Sequence, residues 1–334
     1  MFKNKRILIT GGTGSIGSEI VRQVLEKSPE VIRIYSRDES KHFQLQQEFA
    51  NHENIRFLVG DVRDKDRLAY ATKEVDIIFH AAALKHVPSC EFNPFEAVKT
   101  NVLGTQNVIE AAIANKVQRV VSISTDKVVN PVNTMGATKL LSEKILMAAE
   151  LYKGNSPTKF SCVRFGNVMG SRGSVIPLFK AQIQKGLPIT LTHQNMTRFM
   201  MTIKDAATLV LQAAEKGIGG ETFVLKMPII NIHDLAEILL EEHLSNHRKH
   251  IHPGIVEIGI RPGEKLHEEL MTLEESERAY ESSSMYMILP IGPMRKEIPP
   301  DFKKAKRRAY VSSKSAAMSK EDIRSLLSLK GFLD

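Results

Sequence analysis

The sequence predicts an α/β protein, a doubly wound parallel sheet whose crevice is covered by a second, smaller α/β unit. Three observations carry this. Gly11, Gly14 and Gly17 stand in GGTGSIG, between an apolar run and a stretch of helical periodicity. Strand-like runs then alternate with helical segments over about 125 residues, the pattern of a parallel sheet. A polar triplet, Thr125-Asp126-Lys127, follows the fifth of these runs, at the carboxyl edge where such sheets bind ligands.

The bulk numbers fit. At 334 residues the chain is too long for one small core and suits a nucleotide-binding unit plus a partner. Hydrophobic residues at 42% and charged residues at 25% give an ordinary soluble balance. No apolar run reaches the roughly 18 residues that span a bilayer, and MFKNKRILIT enters a strand directly, so neither a membrane anchor nor a signal peptide is expected. Cys90 and Cys162 are the only cysteines, which excludes a disulfide framework and makes the cytoplasm the expected compartment. The net charge of +8 owes much to Lys303, Lys304, Lys306, Arg307 and Arg308. Without zinc-finger spacing or an aromatic-laced basic stretch, this predicts a solvated segment, not a nucleic-acid site. The positive field suits an anionic small substrate.

In chain order, Lys5–Thr10 reads as a buried strand that stops at the glycines. Gly11, Gly14 and Gly17 let the backbone turn sharply and approach a pyrophosphate. Thr13, Ser15 and Ile16 lie in the same loop, and the helix behind it offers unpaired N–H groups. Val31–Tyr35 is the second strand, ending in Ser36-Arg37-Asp38 with Lys41 behind. A carboxylate here suits the free 2′-hydroxyl of NAD and an arginine the 2′-phosphate of NADP. Arg37 and Lys41 therefore favour NADP, with Asp38 keeping NAD as the alternative. Phe57–Val59 brings Asp61 and Val62 to the sheet edge as adenine contacts. Val75–Phe79 precedes Ala81 and Ala82, small enough for a cofactor to pass, then Lys85 and His86 on the substrate side. A long helix is expected from Asn93 to Asn115, with Asn101 and Thr105 facing inward. Val117–Ser124 delivers Thr125, Asp126 and Lys127, and Phe160–Phe165 is a sixth strand. Later come a return to the sheet over Met201–Val224, an amphipathic helix over Ile232–Leu240, a short strand Val256–Ile258 and an extended stretch over Glu297–Arg308. A last helix is capped by Ser319-Lys-Glu-Asp322. His243, His247, His250 and His252 lie in a lysine- and arginine-rich stretch without a carboxylate motif, so no metal is expected.

Taken together, GGTGSIG, HAAALKHVP, STDKVVNPVNTMGATK, VRFGNVMGSRGSVIPLF and RPGEKLHEEL resemble the UDP-N-acetylglucosamine 4,6-dehydratases. These are extended short-chain dehydrogenase/reductases with a Rossmann fold, found in polysaccharide biosynthesis. The resemblance implies NADP, tightly bound and recycled, and UDP-N-acetylglucosamine as substrate. C4 would be oxidised, water eliminated across C5 and C6, and hydride returned to C6, giving a UDP-4-keto-6-deoxy-HexNAc. It implies Lys127 as base at C5, made neutral by desolvation, Asp126 as acid at O6, Thr125 on the 4-oxygen and Lys139 on the ribose. It also carries over Asn167, Ser174, Val175, Thr190, Arg198, Arg261 and Glu264 as nucleotide contacts, with Lys85 and His86 beside them, and a homo-oligomer, dimer or hexamer. Met135 departs from the family: it replaces the tyrosine of Tyr-x-x-x-Lys, and a thioether has no proton to exchange. The base for the 4-hydroxyl is then expected to be Lys127 or Asp126. Since the tyrosine pattern of inverting members is broken, the reading leans to retention at C5. Two alternatives stand beside this, a UDP-sugar 4-epimerase and a non-catalytic NADP-binding regulatory protein. The implied units are residues 1–166 plus about 197–229 for the cofactor, 167–196 plus about 230–297 for the UDP-sugar, and 298–334 as an extension.

Overall fold

A computed structural model describes the chain except residues 172, 247–253, 293–296, 330 and 334. Six parallel strands form the frame: β1 (Arg6–Thr10), β2 (Val31–Ser36), β3 (Ile55–Val59), β4 (Ile77–His80), β5 (Arg119–Ile123) and β6 (Lys159–Arg164). Their order is β3-β2-β1-β4-β5-β6, reversing direction between β1 and β4. In such sheets the crevice for a ligand opens at that reversal. Ile7, Leu8, Ile9, Ile32, Ile34, Ile78, Phe79, Val120 and Val121 are fully buried. The strands are covered on both faces, as their continuous apolar runs require.

Beyond β6 the sheet continues through Thr222–Leu225, parallel, then Met285–Ile288, Ala279–Glu281 and Lys303–Lys304, all antiparallel, to ten strands. The sequence assigned 230–297 to the smaller unit and 297–308 to an extended surface stretch. The 279–288 hairpin and Lys303–Lys304 belong instead to the main sheet. The hairpin's inward residues Met285, Tyr286, Met287 and Ile288 complete the same core as Phe223 and Val224. The smaller unit has its own core, in which Ile176, Phe179 and Ile183 meet Leu235, Ile238, Leu239, Ile323 and Leu327.

The expected Asn93–Asn115 helix is broken. Helices Val87–Phe92 and Pro94–Ala97 lead into a π-helical turn, Val98–Leu103, before Gly104–Ala114. Asn101, fully buried in that turn, turns its side chain onto the Leu84 backbone, accepting from N at 2.8 Å and donating to O at 3.1 Å. It also donates to Thr138 Oγ1 at 3.0 Å. One wide turn thus locks the strand-end loop before Lys85 and His86 to the helix that carries Met135 and Lys139, a use typical of such bulges.

Candidate active site

The glycine loop is shaped by contact. Gly11 has φ +67°, and a Cβ on it would lie 2.7–2.8 Å from the backbone of Ala81 and Ala82. On Gly17 it would lie 2.4 Å from Gly11 O. Gly14, extended at φ −76°, precedes helix α1 (Ser15–Leu25) with no side chain capping it. Thr13 Oγ1 meets Ser36 Oγ at 2.7 Å, tying the loop to the end of β2. Ile16 packs on the core below. This is a tight, side-chain-free cradle that leads into an uncapped helix start, which fits a pyrophosphate.

At the end of β2, Asp38 caps the Glu39–Glu48 helix and pairs with Lys41. Arg37, half-exposed, lies 3.5 Å from Asp61, which is also bonded to Arg63. Burial raises the Asp61 carboxyl, but Arg63 and Arg37 outweigh it and hold it below its ordinary value. Val62 departs from expectation. Its side chain is 4% exposed and fills the space over Gly104, where a Cβ would meet it at 2.7 Å, so it is core.

Thr125, Asp126 and Lys127 leave β5 in a short 3-10 turn, Asp126–Val128, capped by Thr125. Thr125 donates to Asp126 Oδ1 at 2.7 Å and Lys127 Nζ to the same oxygen at 2.9 Å. Asp126 is fully buried, and its Oδ2 has no hydrogen-bond partner among the described residues. Gly136 sets the height of the next helix: a Cβ there would lie 2.3 Å from Lys127 O. Asn133 caps that helix through Gly136 N at 2.8 Å and donates to Gly263 O at 2.8 Å, joining it to the loop of Arg261 and Glu264.

One expectation about this centre is corrected. Lys127 is not a neutral amine at rest. Burial pushes its pKa down, but Asp126 and Glu268, 2.9 and 3.4 Å away, outweigh this and hold it above its ordinary value. Met135, in the tyrosine's place in the motif, turns into the core. It is 4% exposed and packs with Cys90 and Ala97, beside Leu84 and Val87, as an apolar core side chain. Lys139, four residues on, is buried and donates to Ile123 O at 2.7 Å, and desolvation pushes its pKa down.

The nucleotide contacts divide. Asn167 Oδ1, Ser174 Oγ and Glu264 Oε2 are buried without hydrogen-bond partners among the described residues. His86 lies against Gly173, beside Ser174. Val175 starts the Val175–Gln184 helix over the smaller core, and Lys85 and Arg261 are exposed. Thr190 is already paired with Gln182, at 2.9 and 3.2 Å. Arg198, expected on phosphate, donates instead to the carbonyls of Thr197, Leu266 and Lys265 at 2.9, 3.1 and 2.8 Å. It organises the loop that brings Glu264 and Glu268 to the crevice. Glu268 escaped the sequence reading, as did Ser312, which fixes its backbone. Of the four histidines once weighed as ligands, His247, His250 and His252 lie outside the described residues.

Residues 7–290 match the family described as polysaccharide biosynthesis protein. The chain is 52% identical over 329 residues to an uncharacterized membrane protein of Methanocaldococcus jannaschii, covering 98% of this chain and 96% of that one. No helix among the described residues here is long and apolar enough to cross a membrane. It is 48% identical over 294 residues to a UDP-N-acetylglucosamine 4,6-dehydratase (inverting) of Campylobacter jejuni, covering 87% and 84%. To a UDP-glucose 4-epimerase of Rickettsia bellii it is 44% identical over 292 residues, covering 86% and 84%. Among solved structures it is similar to Pen from Bacillus thuringiensis, 48% identical with a TM-score of 0.92 over 100% of both chains. The chain belongs to the polysaccharide biosynthesis protein family of extended short-chain dehydrogenase/reductases.

Proposed function

We propose that the chain is an NADP-dependent hydro-lyase that converts UDP-N-acetylglucosamine to a UDP-4-keto-6-deoxy-HexNAc. The observation that carries this is the Asp126–Lys127 pair, an acid and an amine 2.9 Å apart at the end of β5, with one carboxylate oxygen buried and unpartnered. An elimination needs both a base at carbon and an acid at the departing oxygen. The named relative from Campylobacter supports the substrate.

When bound, the nicotinamide takes a hydride from C4 and gives it back at C6, so the cofactor is recycled. Gly11, Thr13, Gly14, Ser15 and Gly17 hold its pyrophosphate, and Lys139 its ribose. Arg37 and Lys41 favour NADP; their pairing with Asp61 and Asp38 leaves cations that a phosphate would recruit from those carboxylates. Thr125 holds the 4-oxygen. The resting ion pair has its proton on Lys127. Before elimination Lys127 must give up that proton and Asp126 must carry one, so that the amine takes the C5 proton and the acid protonates the leaving 6-hydroxyl; elimination then restores the ion pair. A single amine removes and returns the C5 proton on one face, which retains configuration, although the Campylobacter relative is named as inverting. Asn167, Ser174 and Glu264 receive the nucleotide, with Arg261, Lys85 and His86 at the mouth. A cytoplasmic homo-oligomer is part of this reading. Phe92, Phe95, Leu103 and Leu141, all exposed on neighbouring helices, form an apolar strip that a second copy would cover.

The test is incubation of purified protein with UDP-N-acetylglucosamine in D₂O, followed by proton NMR and mass spectrometry. Loss of one water with one deuterium at C5 is expected, the ring configuration reporting retention or inversion. An unchanged sugar nucleotide sinks the reading. A C4 epimer of unchanged formula establishes the second reading, a 4-epimerase, which the Rickettsia relatives favour but which gives the Asp126–Lys127 pair no elimination to perform.

A further inference from the structure

Glu268 is a carboxylate buried beside the Asp126 carboxylate and within ion-pair distance of Lys127 and Arg198. It precedes the strand Glu269–Met271, which pairs antiparallel with Tyr310–Val311. Its backbone is fixed from both sides by Ser312, N donating to Ser312 Oγ at 2.9 Å and O accepting from Ser312 N at 2.8 Å. The side chain is 2–3% exposed. Oε1 lies 3.4 Å from Lys127 Nζ and 3.8 Å from Arg198 Nε, and Oε2 has no hydrogen-bond partner among the described residues. Arg198 also has Glu264 as a nearer carboxylate, at 3.5 Å, and makes no hydrogen bond to Glu268, so a counter-ion role toward Arg198 leaves Oε2 unexplained.

Counting protons explains it, given the dehydration reading on which this inference rests. The reaction takes two protons from the sugar, at O4 and C5, and returns two, to the departing O6 and to C5. Just before elimination Asp126 must be an acid and Lys127 an amine, a state holding one proton. The resting ion pair already holds one, and C4 oxidation adds a second from the 4-hydroxyl. One proton therefore needs a third place, which the family's tyrosine cannot supply where Met135 stands.

We propose that Glu268 is that place, storing one proton from C4 oxidation until C5 is protonated. Lys127 passes its proton to Glu268, while the O4 proton reaches Asp126 through Thr125, whose hydroxyl already donates to that carboxylate. The C4–H pair leaves as hydride to the nicotinamide. Lys127 then takes the C5 proton as Asp126 protonates O6 and the C6–O bond breaks, releasing water. Hydride returns to C6, Lys127 protonates C5, and Glu268 gives its proton back to Lys127. The starting charges are restored with no external acid or base.

Glu268 acts through Lys127 and is in that sense a positioning residue. The groups facing it are Asp126 and Lys127 from the end of β5, Arg198 from the strand Thr197–Thr202 and Lys265 in its own loop. Burial and the Asp126 carboxylate push its pKa up, against the three cations, which brings it nearer to neutral pH as a proton acceptor.

The test uses the full-length protein with bound dinucleotide, single turnovers of UDP-N-acetylglucosamine and a pH indicator in weak buffer. Wild type should reduce its nicotinamide without releasing a proton to solvent. Glu268→Gln should lower kcat by about 100-fold or more, leave KM within about threefold and abolish the acid limb of the kcat–pH profile. Glu268→Asp should recover part of the rate and the limb. A full proton released by wild type during C4 oxidation overturns the proposal without any variant, and so does Glu268→Gln with wild-type kcat and profile; either leaves dehydration standing. If wild type does not dehydrate the substrate, the dehydration reading falls and this inference with it.

Discussion

Arg164→Met tests whether one buried cation holds the crevice wall in place. From the end of β6, Arg164 grips Glu143 with Nε and Nη2 at 2.7–3.1 Å and Glu275 with Nη1 and Nη2 at 3.0 and 2.9 Å. Nη1 also reaches Leu270 O at 3.3 Å, within the strand that follows Glu268. The side chains of Arg164 and Glu143 are 4% exposed and that of Glu275 15%. Methionine fills similar volume but strands two carboxylates, and losing the partner of a buried charge costs about 3–5 kcal/mol. At roughly 2 °C per kcal/mol for a chain of this size, the melting temperature should fall by about 6–10 °C. Urea unfolding gives the same quantity from the midpoint at unchanged slope. The pH dependence separates this from plain packing loss. Burial raises the Glu275 carboxyl, but Arg164 outweighs it and holds the pKa below its ordinary value. Its contribution is thus present above the ordinary carboxylate value and lost as pH falls through the depressed one. In Arg164→Met the sign reverses, because carboxylates left without a cation gain by taking up protons, so the deficit should shrink toward pH 5. Adding Glu143→Gln and Glu275→Gln should restore most of the stability. If Arg164→Met alone lies within about 1 kcal/mol of wild type, the cation is not what makes those buried carboxylates tolerable.

Gly17→Ala should weaken dinucleotide binding at least about tenfold, or 1.4 kcal/mol by titration calorimetry, since its Cβ would meet only backbone at 2.4–2.9 Å. Lys127→Ala should lower kcat by at least about 100-fold in a turnover assay, while Met135→Tyr restores nothing and costs about 1–3 kcal/mol of stability by overfilling the Cys90–Ala97 pocket. His80, bonded to Thr10 and Thr105 and wholly buried, is held neutral with its pKa pushed down by burial to about 3. Its stabilising contribution is complete above the unfolded value near 6.5 and declines as pH falls toward 3, by up to about 1.4 kcal/mol per unit. Urea titrations at several pH values should show His80→Gln with a flatter acid slope than wild type. Phe95→Glu with Leu103→Glu should reduce the mass found by light scattering to that of a single chain without unfolding it.

The frame was legible because its signals are local. Each of the six parallel strands lies within two residues of its predicted ends, since a buried strand is a short apolar run between breakers. The glycine loop and the Thr125–Lys127 turn were legible for the same reason. What escaped depends on long-range contact. Nothing near Glu268 marks it as different from Glu269, whose side chain bonds Asn130 on the outside; only the pairing with residues 310–312 turns Glu268 inward. The break in the 93–115 helix was hidden because Asn101 satisfies the backbone of Leu84, a partner that helical periodicity does not reveal. Arg198 and Thr190 look like free phosphate and base contacts in sequence, and only their neighbours show them already engaged.

Ser312 has a consequence for how this protein comes into being. It holds Glu268 in place from 44 residues further along, so the far wall of the pocket forms only after Ser312 has been synthesised. A chain cut before Ser312 would keep the residues of the glycine cradle but lose the support of Glu268.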